Sequence, residues 1–404
     1  MNGTADLPLV LSTQVADTTI GRAERSWWAR WTRTTSSGRF LPAIDGLRCL
    51  AIMTVIMHHL GGYVAQRTPG LDYLEAKQSP LYRLIDIGNC GVQLFFVISG
   101  FILALPFAEQ YLCRGKPVRL KQYFWRRVTR LHPPYLVNLV LLTLLLMLVK
   151  NQTWSELGPH LLASALYLHN LVYQSMSTVN GVAWSLEIEV QFYLLAPLLA
   201  QVYRIPQLVW RRGLLLLGAT SVMLTKCAVG HGIDYPLAGS VFFYLDYFLC
   251  GLLLADWQAV LETDRPLSRA HGVVWDLVGL IAAMGCVVLP LNGTTWFLLP
   301  VALLPACAAV LRGPRLNRLL SQPVLVVIGG MCYTTYLYHF GVISLVGGQV
   351  APWTGGLSYP AALAFQAAIV IPAILAVSSV LFILVEQPCM RWGRKPVHPV
   401  IQPA

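Results

Sequence analysis

Charge is what this chain lacks. Of its 404 residues only 12% are Asp, Glu, Lys or Arg, and the 18 acidic residues are outnumbered by 29 basic ones. A soluble domain carries about 25% charged residues. Such poverty, with 56% hydrophobic residues and a mean hydropathy of +0.60, excludes a soluble protein of this length and points to a polytopic membrane protein. Paired cysteines are missing too. The nine cysteines (49, 90, 113, 227, 250, 286, 307, 332 and 389) stand singly with no CxxC, so neither a disulfide framework nor a zinc site is indicated, and no metal is expected. They read as small apolar packing residues. No apolar core with a small-residue cleavage site opens the chain, so residues 1–39 are read as a cytoplasmic tail. In it Arg22, Arg25, Arg30, Arg33 and Arg39 interleave with Trp27, Trp28 and Trp31, as in an interfacial stretch.

What is present is a series of apolar runs. They cover residues 44–63, 88–107, 134–149, 157–173, 184–203, 213–229, 237–255, 273–290, 295–311, 324–346 and 361–385. Positive-charge asymmetry decides which of them cross. If 157–173 does not span, the cytoplasmic segments hold 23 Lys and Arg and the external loops 4, with Arg48 and Lys226 inside spans. If it spans, the split becomes 12 against 15 and the asymmetry is lost. The expectation is therefore an all-α polytopic membrane protein of about ten transmembrane helices, with both termini cytoplasmic and one short re-entrant or interfacial segment at 157–173. The expected division is a tail over 1–39, a membrane domain over 40–394 and a cytoplasmic tail over 395–404. The net charge of +11 is then topological, and no nucleic-acid partner is expected.

Run 44–63 (IDGLRCLAIMTVIMHHLGGY) holds a guanidinium and an imidazole in a stretch otherwise apolar enough to span. Eleven steps separate Arg48 from His59, about 20° from three full turns, so both leave one helix face roughly 16 Å apart in depth. His58 points about 80° away. Arg127 and Arg130 lie three apart, on one face at the cytoplasmic mouth of the third span. Glu187 and Glu189 fall in the outer half of run 184–203, where a carboxylate needs a partner. Glu187 suits a rim position; Glu189 is harder to dismiss. His339 comes at mid-depth or beyond, with Tyr336 and Tyr333 on its approximate face. His132, His160, His169, His231, His271 and His398 read as incidental. Asp45 and Glu386 lie near the cytoplasmic surface as neutralisers of Arg48 or Arg130.

Several motifs resemble, in order, the integral-membrane acyltransferase-3 family of O-acyltransferases. They are an Asp-Gly-Leu-Arg opening followed by His59, GVQLFFVISGF (91–101), RRVTRLHPPY (126–135), WSLEIEVQFYLLAPLL (184–199), YTTYLYH (333–339) and EQP (386–388). Together they cover roughly residues 40–394. The resemblance implies about ten membrane helices and transfer of an acetyl or other short acyl group to a hydroxyl of a glycan or glycosylated small molecule. The donor it implies is acyl-CoA, acetyl-CoA above all, as a co-substrate rather than a bound cofactor. Gln93 stands where many members carry an acid, which speaks against an acid role there. The chain stops at Ala404 without the appended periplasmic esterase-like domain of some members, which suggests a single-module enzyme.

Acyl transfer from a thioester needs a base for the hydroxyl proton, a donor for the developing oxyanion and a cationic grip on the CoA phosphates. A histidine suits the base near neutral pH, and His59 is the membrane histidine aligned with an arginine; His339 competes with it. Arginine's planar fork matches phosphate, so Arg127 and Arg130, with Arg48 deeper, are positioned to draw CoA from the cytosol. The expected catalytic set is His59, Glu189 and Arg48; the expected substrate-binding set is Arg127, Arg130, His339, Tyr336 and Asp45. Some 16 Å between Arg48 and His59 suits a pantetheine arm reaching across the midline, in the cell (inner or plasma) membrane. The alternative is a secondary transporter or acyl-group translocator using the same Arg, His and Glu residues as its pathway. Against it, there is no internal repeat and no paired Gly/Pro-broken segments.

Overall fold

The computed structural model describes residues 40–230, 237–261, 269–291 and 295–393. The Arg/Trp-rich tail, His231, His398 and the segment 395–404 lie outside the described residues. Every regular element among the described residues is helical. That is what a bilayer demands of an apolar chain, because a helix satisfies its backbone polar groups internally.

The long helices are α1 (Pro42–Arg67), α2 (Gly91–Leu112), α3 (Leu120–Lys150), α4 (Trp154–Ala165), α5 (Trp184–Leu199) and α6 (Leu208–Val229). There follow α7 (Leu245–Leu261), α8 (Arg269–Leu291), α9 (Leu299–Arg312), α10 (Pro323–Gly330), α11 (Cys332–Val350) and α12 (Tyr359–Leu381). Among the described residues, seven helical stretches are long and apolar enough to cross a membrane, or up to nine if two bent pairs each count as one. The chain is thus a multi-pass membrane protein. The run predicted over 237–255 yields α7 of 17 residues, about 25 Å and slightly shorter than that measure of a span.

Three segments differ from their sequence patterns. The basic stretch between the runs 88–107 and 134–149 is helical from Leu120, and α3 continues through Pro133 and Pro134. Each proline removes one amide hydrogen bond. Bonds to α11 on either side of them hold the helix: the Tyr333 hydroxyl donates to the Leu131 carbonyl at 2.7 Å, and the Asn138 amide donates to the Leu337 carbonyl at 3.0 Å. Run 324–346 is broken at Met331 by a 74° bend between α10 and the stretch from Cys332. The break follows Gly329 and Gly330, weak helix formers. A side chain on Gly329 would strike the Asp45 carbonyl, so close packing on α1 reserves that site for glycine. The 157–173 segment divides into α4 and a five-residue helix, His169–Tyr173, neither long enough to span.

Helix α1 is the central post, packed by α2, α10, α11 and α12. Ala51, Ile52, Val55, Ile56, Leu60 and Val64 are wholly enclosed. Helices α2 and α7 meet backbone to backbone: a Cβ on Gly251 would collide with the Val97 carbonyl and the Phe101 amide, and one on Gly100 with the Phe248 carbonyl at 2.5 Å. Small residues permitting such approach are how helices associate where no water drives them together. Helices α6 and α7 are clamped at both ends by buried ion pairs. Asp256 takes Arg211 and Arg212 (2.6 Å to the latter), and Asp246 takes Lys226 through both oxygens at 2.8 Å.

Candidate functional site

Five helices bring side chains to one cavity of about 720 Å³, part of it open to solvent. Each supplies residues at helical spacing. α1 contributes Arg48; α2 Phe95 and Ser99; α3 Arg127 and Arg130; α5 Ser185, Glu189 and Tyr193; α11 Cys332, Tyr333 and Tyr336. Separations of three and four put each group on a single face. Six of the residues singled out in the sequence, Arg48, Arg127, Arg130, Glu189, Tyr333 and Tyr336, therefore line the same space.

The polar groups are tightly arranged. Arg48 donates to Asp45 at 2.8 Å, and both side chains are buried, so Asp45 stands behind the arginine rather than in the lining. Glu189 accepts from the Ser99 hydroxyl at 2.6 Å. The Ser185 and Tyr336 hydroxyls meet at 2.7 Å, and Tyr336 also donates to the Val182 carbonyl. The Arg127 guanidinium lies over the rings of Tyr123 and Tyr193, 5.6 and 6.0 Å from their centroids. The Nε atoms of Arg127 and Arg130 are buried with no protein acceptor. Buried donors of this kind are costly unless something satisfies them, and a phosphate or carboxylate oxygen matches their geometry. Arg48 is balanced by Asp45, which leaves Arg127 and Arg130 facing Glu189 alone and the cavity cationic.

His59 and His339 do not line this cavity; they pair beside it. Their ring centroids are 5.2 Å apart, with Phe340 5.4 Å from His59. His339 is fully enclosed and its Nδ1 donates to the Tyr336 carbonyl at 2.7 Å. That bond places a proton on Nδ1, and Nε2 is buried without a partner. The ring of Tyr336, which does line the cavity, is 5.8 Å from that of His339. His339 thus stands one helical turn from the cavity wall at Tyr336, with His59 beyond it. The His58 ring meets that of His59 edge-on, 5.0 Å between centroids, and its Nδ1 lies 3.3 Å from Asp86.

Glu187 is no rim residue. It is buried and accepts from the amides of His169 at 3.2 Å and Asn170 at 2.8 Å, capping the helix that begins there. Glu386 accepts from the Thr334 hydroxyl at 2.5 Å. Sequence reasoning missed Ser99, Ser185 and Tyr193; for Ser185 and Tyr193 the signal available was their spacing of four on either side of Glu189, while Ser99 had no suspected neighbour at such a spacing. Among the described residues no group of three or more His, Cys, Asp or Glu side chains converges to hold a metal.

A family model described as an acyltransferase domain matches residues 41–385. Similar proteins include "Putative O-acetyltransferase SACOL0978" of Staphylococcus aureus (strain COL), 27% identical over 340 residues that cover 76% of this chain and 51% of that protein. Another is "O-acetyltransferase OatA" of Staphylococcus aureus (strain NCTC 8325 / PS 47), 26% identical over 340 residues covering 77% of this chain and 52% of that one. The chain spans about half the length of the curated relatives it matches. No solved structure matches it.

Proposed function

The chain belongs to the acyltransferase family matched over residues 41–385, and from that premise we propose that it moves an acetyl or other short acyl group from acyl-CoA to a hydroxyl of a glycan or glycosylated small molecule. The observation that carries the reading is the cavity in which the unpartnered Nε donors of Arg127 and Arg130 face Glu189. In this reading Arg127 and Arg130 hold the CoA phosphates, and Arg48, oriented by Asp45, lies deeper against the donor. His59, beside His339, takes the acceptor hydroxyl proton. The hydroxyl oxygen then forms the ester bond to the acyl carbon, the C–S bond breaks, and the proton passes to the departing thiolate. Glu189 positions the reacting groups through Ser99. The names of the staphylococcal relatives lend weight to acetyl as the group moved. Family membership favours this transferase reading over a transporter built on the same residues.

The accompanying topology is about ten crossings with both termini cytoplasmic, in the cell membrane, with donor from inside and acceptor outside. Two experiments test the proposal. Purified protein in detergent should consume acetyl-CoA and acetylate an added glycan; absence of turnover across a panel of glycans overturns it. A cysteine replacing exposed Lys116 should react with impermeant thiol reagents only from the cytoplasmic side, and labelling from outside in intact cells would invert the topology.

A further inference from the structure

A second cavity, of about 560 Å³, lies among α2, α6, α7 and the segment before α9. Part of that space is open to solvent. Four rings face it, those of Phe243, Tyr244, Tyr247 and Trp296, with Phe243 and Trp296 6.2 Å apart between centroids. Gln93 adds an amide. Lys226 adds an ammonium, 4.5 Å from the centroid of Tyr247 and 4.9 Å from that of Phe243.

The charge of this cavity decides what it accommodates. Lys226 is already matched by Asp246, whose two oxygens each receive its ammonium at 2.8 Å. Asp246 neutralises Lys226, so this wall offers an anion no net positive charge, and an acyl chain would lie against a polar amide and an ammonium; both are disfavoured. A neutral polyol ring is not. The C–H face of a pyranose stacks on aromatic rings while its hydroxyls bond to amide and ammonium groups, and all three partners are on this wall.

The two cavities are neighbours. Phe96 lines the first and Tyr244 the second, and their rings are 5.2 Å apart. Along α2, Gln93, Phe96 and Ser99 recur every third residue, so the three stand about 4.5 Å apart in depth. The Phe96–Tyr244 contact thus joins the wall of the chamber with the arginines to that of the chamber with the rings.

We propose that the second cavity is the acceptor subsite and takes a neutral pyranoside, an inference that rests on the O-acyl transfer reading above. The pyranoside stacks on Tyr247 and Trp296, bonds to Gln93 and Lys226, and presents one hydroxyl past the Phe96–Tyr244 contact toward the donor. The test uses the full chain in nanodiscs, a photoreactive diazirine derivative of a methyl glucoside, and the variants Gln93→Leu and Trp296→Ala, each first checked for an unchanged melting temperature. Crosslinks are expected on peptides carrying Phe243 to Tyr247 or Trp296, competed by unlabelled glucoside and lost in at least one variant. In turnover assays the variants should raise the acceptor KM roughly tenfold or more while the acetyl-CoA KM stays within about twofold. Crosslinks confined to other peptides, or an unchanged acceptor KM in both variants, overturn the proposal. If the wild type labels here yet acetylates no saccharide, the site stands and the transfer reading falls. If transfer proceeds without label in this cavity, the transfer reading stands and the subsite falls.

Discussion

The Ser99 hydroxyl donates to the Glu189 carboxylate at 2.6 Å, joining α2 to α5 at the wall of the arginine-lined cavity. The bond holds the one carboxylate of that wall in a single orientation. Glu189→Gln keeps the shape but removes the charge, and it should lower the transfer rate by roughly a hundredfold or more. Ser99→Ala leaves the charge but not its orientation and should cost less, on the order of tenfold. Steady-state rates with acetyl-CoA and a glycan would check the ranking; equal rates for Glu189→Gln and wild type would remove Glu189 from the reaction.

The histidine pair makes a sharper distinction. His59→Ala should abolish transfer while the protein still accumulates in the membrane, because removing a polar ring from a span costs the bundle little. His58→Ala, which loses a 3.3 Å contact with Asp86 and an edge contact with the His59 ring, 5.0 Å between centroids, should keep most activity. Immunoblots of membranes paired with activity assays decide it, and a dead His58→Ala with an active His59→Ala would reverse the assignment.

Donor binding is expected to reside in α3. Arg127→Ala and Arg130→Ala should each raise the apparent KM for acyl-CoA roughly tenfold and leave the acceptor KM nearly unchanged, since a lost phosphate contact removes uniform binding. Arg48 calls for a gentler change. Asp45 is buried against it, so Arg48→Ala would strip a buried carboxylate of its ion partner. Arg48→Lys keeps the charge, loses the planar fork, and should abolish transfer with the melting temperature preserved.

Packing between α2 and α7 is checked by a glycine pair. Gly251→Leu drives a side chain into the α2 backbone and should lower the melting temperature sharply, overpacking costing ~1–3 kcal/mol or more. Gly62→Ala, with nothing within 4 Å of the added carbon, should fall within ~1 kcal/mol of wild type. Thermal unfolding in detergent compares the two.

A pH effect is expected outside the spans. His169 is buried, its Nδ1 3.1 Å from the Ser175 carbonyl and its Nε2 2.8 Å from Nδ1 of His160. Burial pushes its pKa below the ordinary histidine value; the Ser175 carbonyl opposes that, and His160 adds to it. The folded state thus prefers the neutral ring. Stability from this site is full above ~6.5 and declines as the pH falls through that value toward the lower folded pKa. Hydrogen exchange over residues 154–173, corrected for intrinsic rates, should be faster at pH 5.5 than at 7.5, and His169→Gln should flatten the difference. Equal protection in the wild type at both pH values would refute it.

Much of this molecule was legible before any coordinates. The scarcity of charge requires a membrane, a membrane requires helices, and helical spacing assigns faces and relative depths. That is why Arg127 with Arg130 was found from spacing, why a carboxylate inside an apolar run singled out Glu189, and why the Lys/Arg asymmetry set 157–173 apart as a run that does not cross. The resemblance to a family supplied the chemistry that spacing could not. Periodicity says which residues share a face but nothing about which neighbour that face meets. His59 and His339, 280 positions apart in the chain, come together only because α1 and α11 pack on one another. The convergence of five helices on one cavity, the matching of Lys226 by Asp246, and the break at Met331 are likewise tertiary facts. Each depends on backbone approach at glycines such as Gly251 and Gly329, and on buried charges that must find partners, and both are settled by three-dimensional packing rather than by any local pattern.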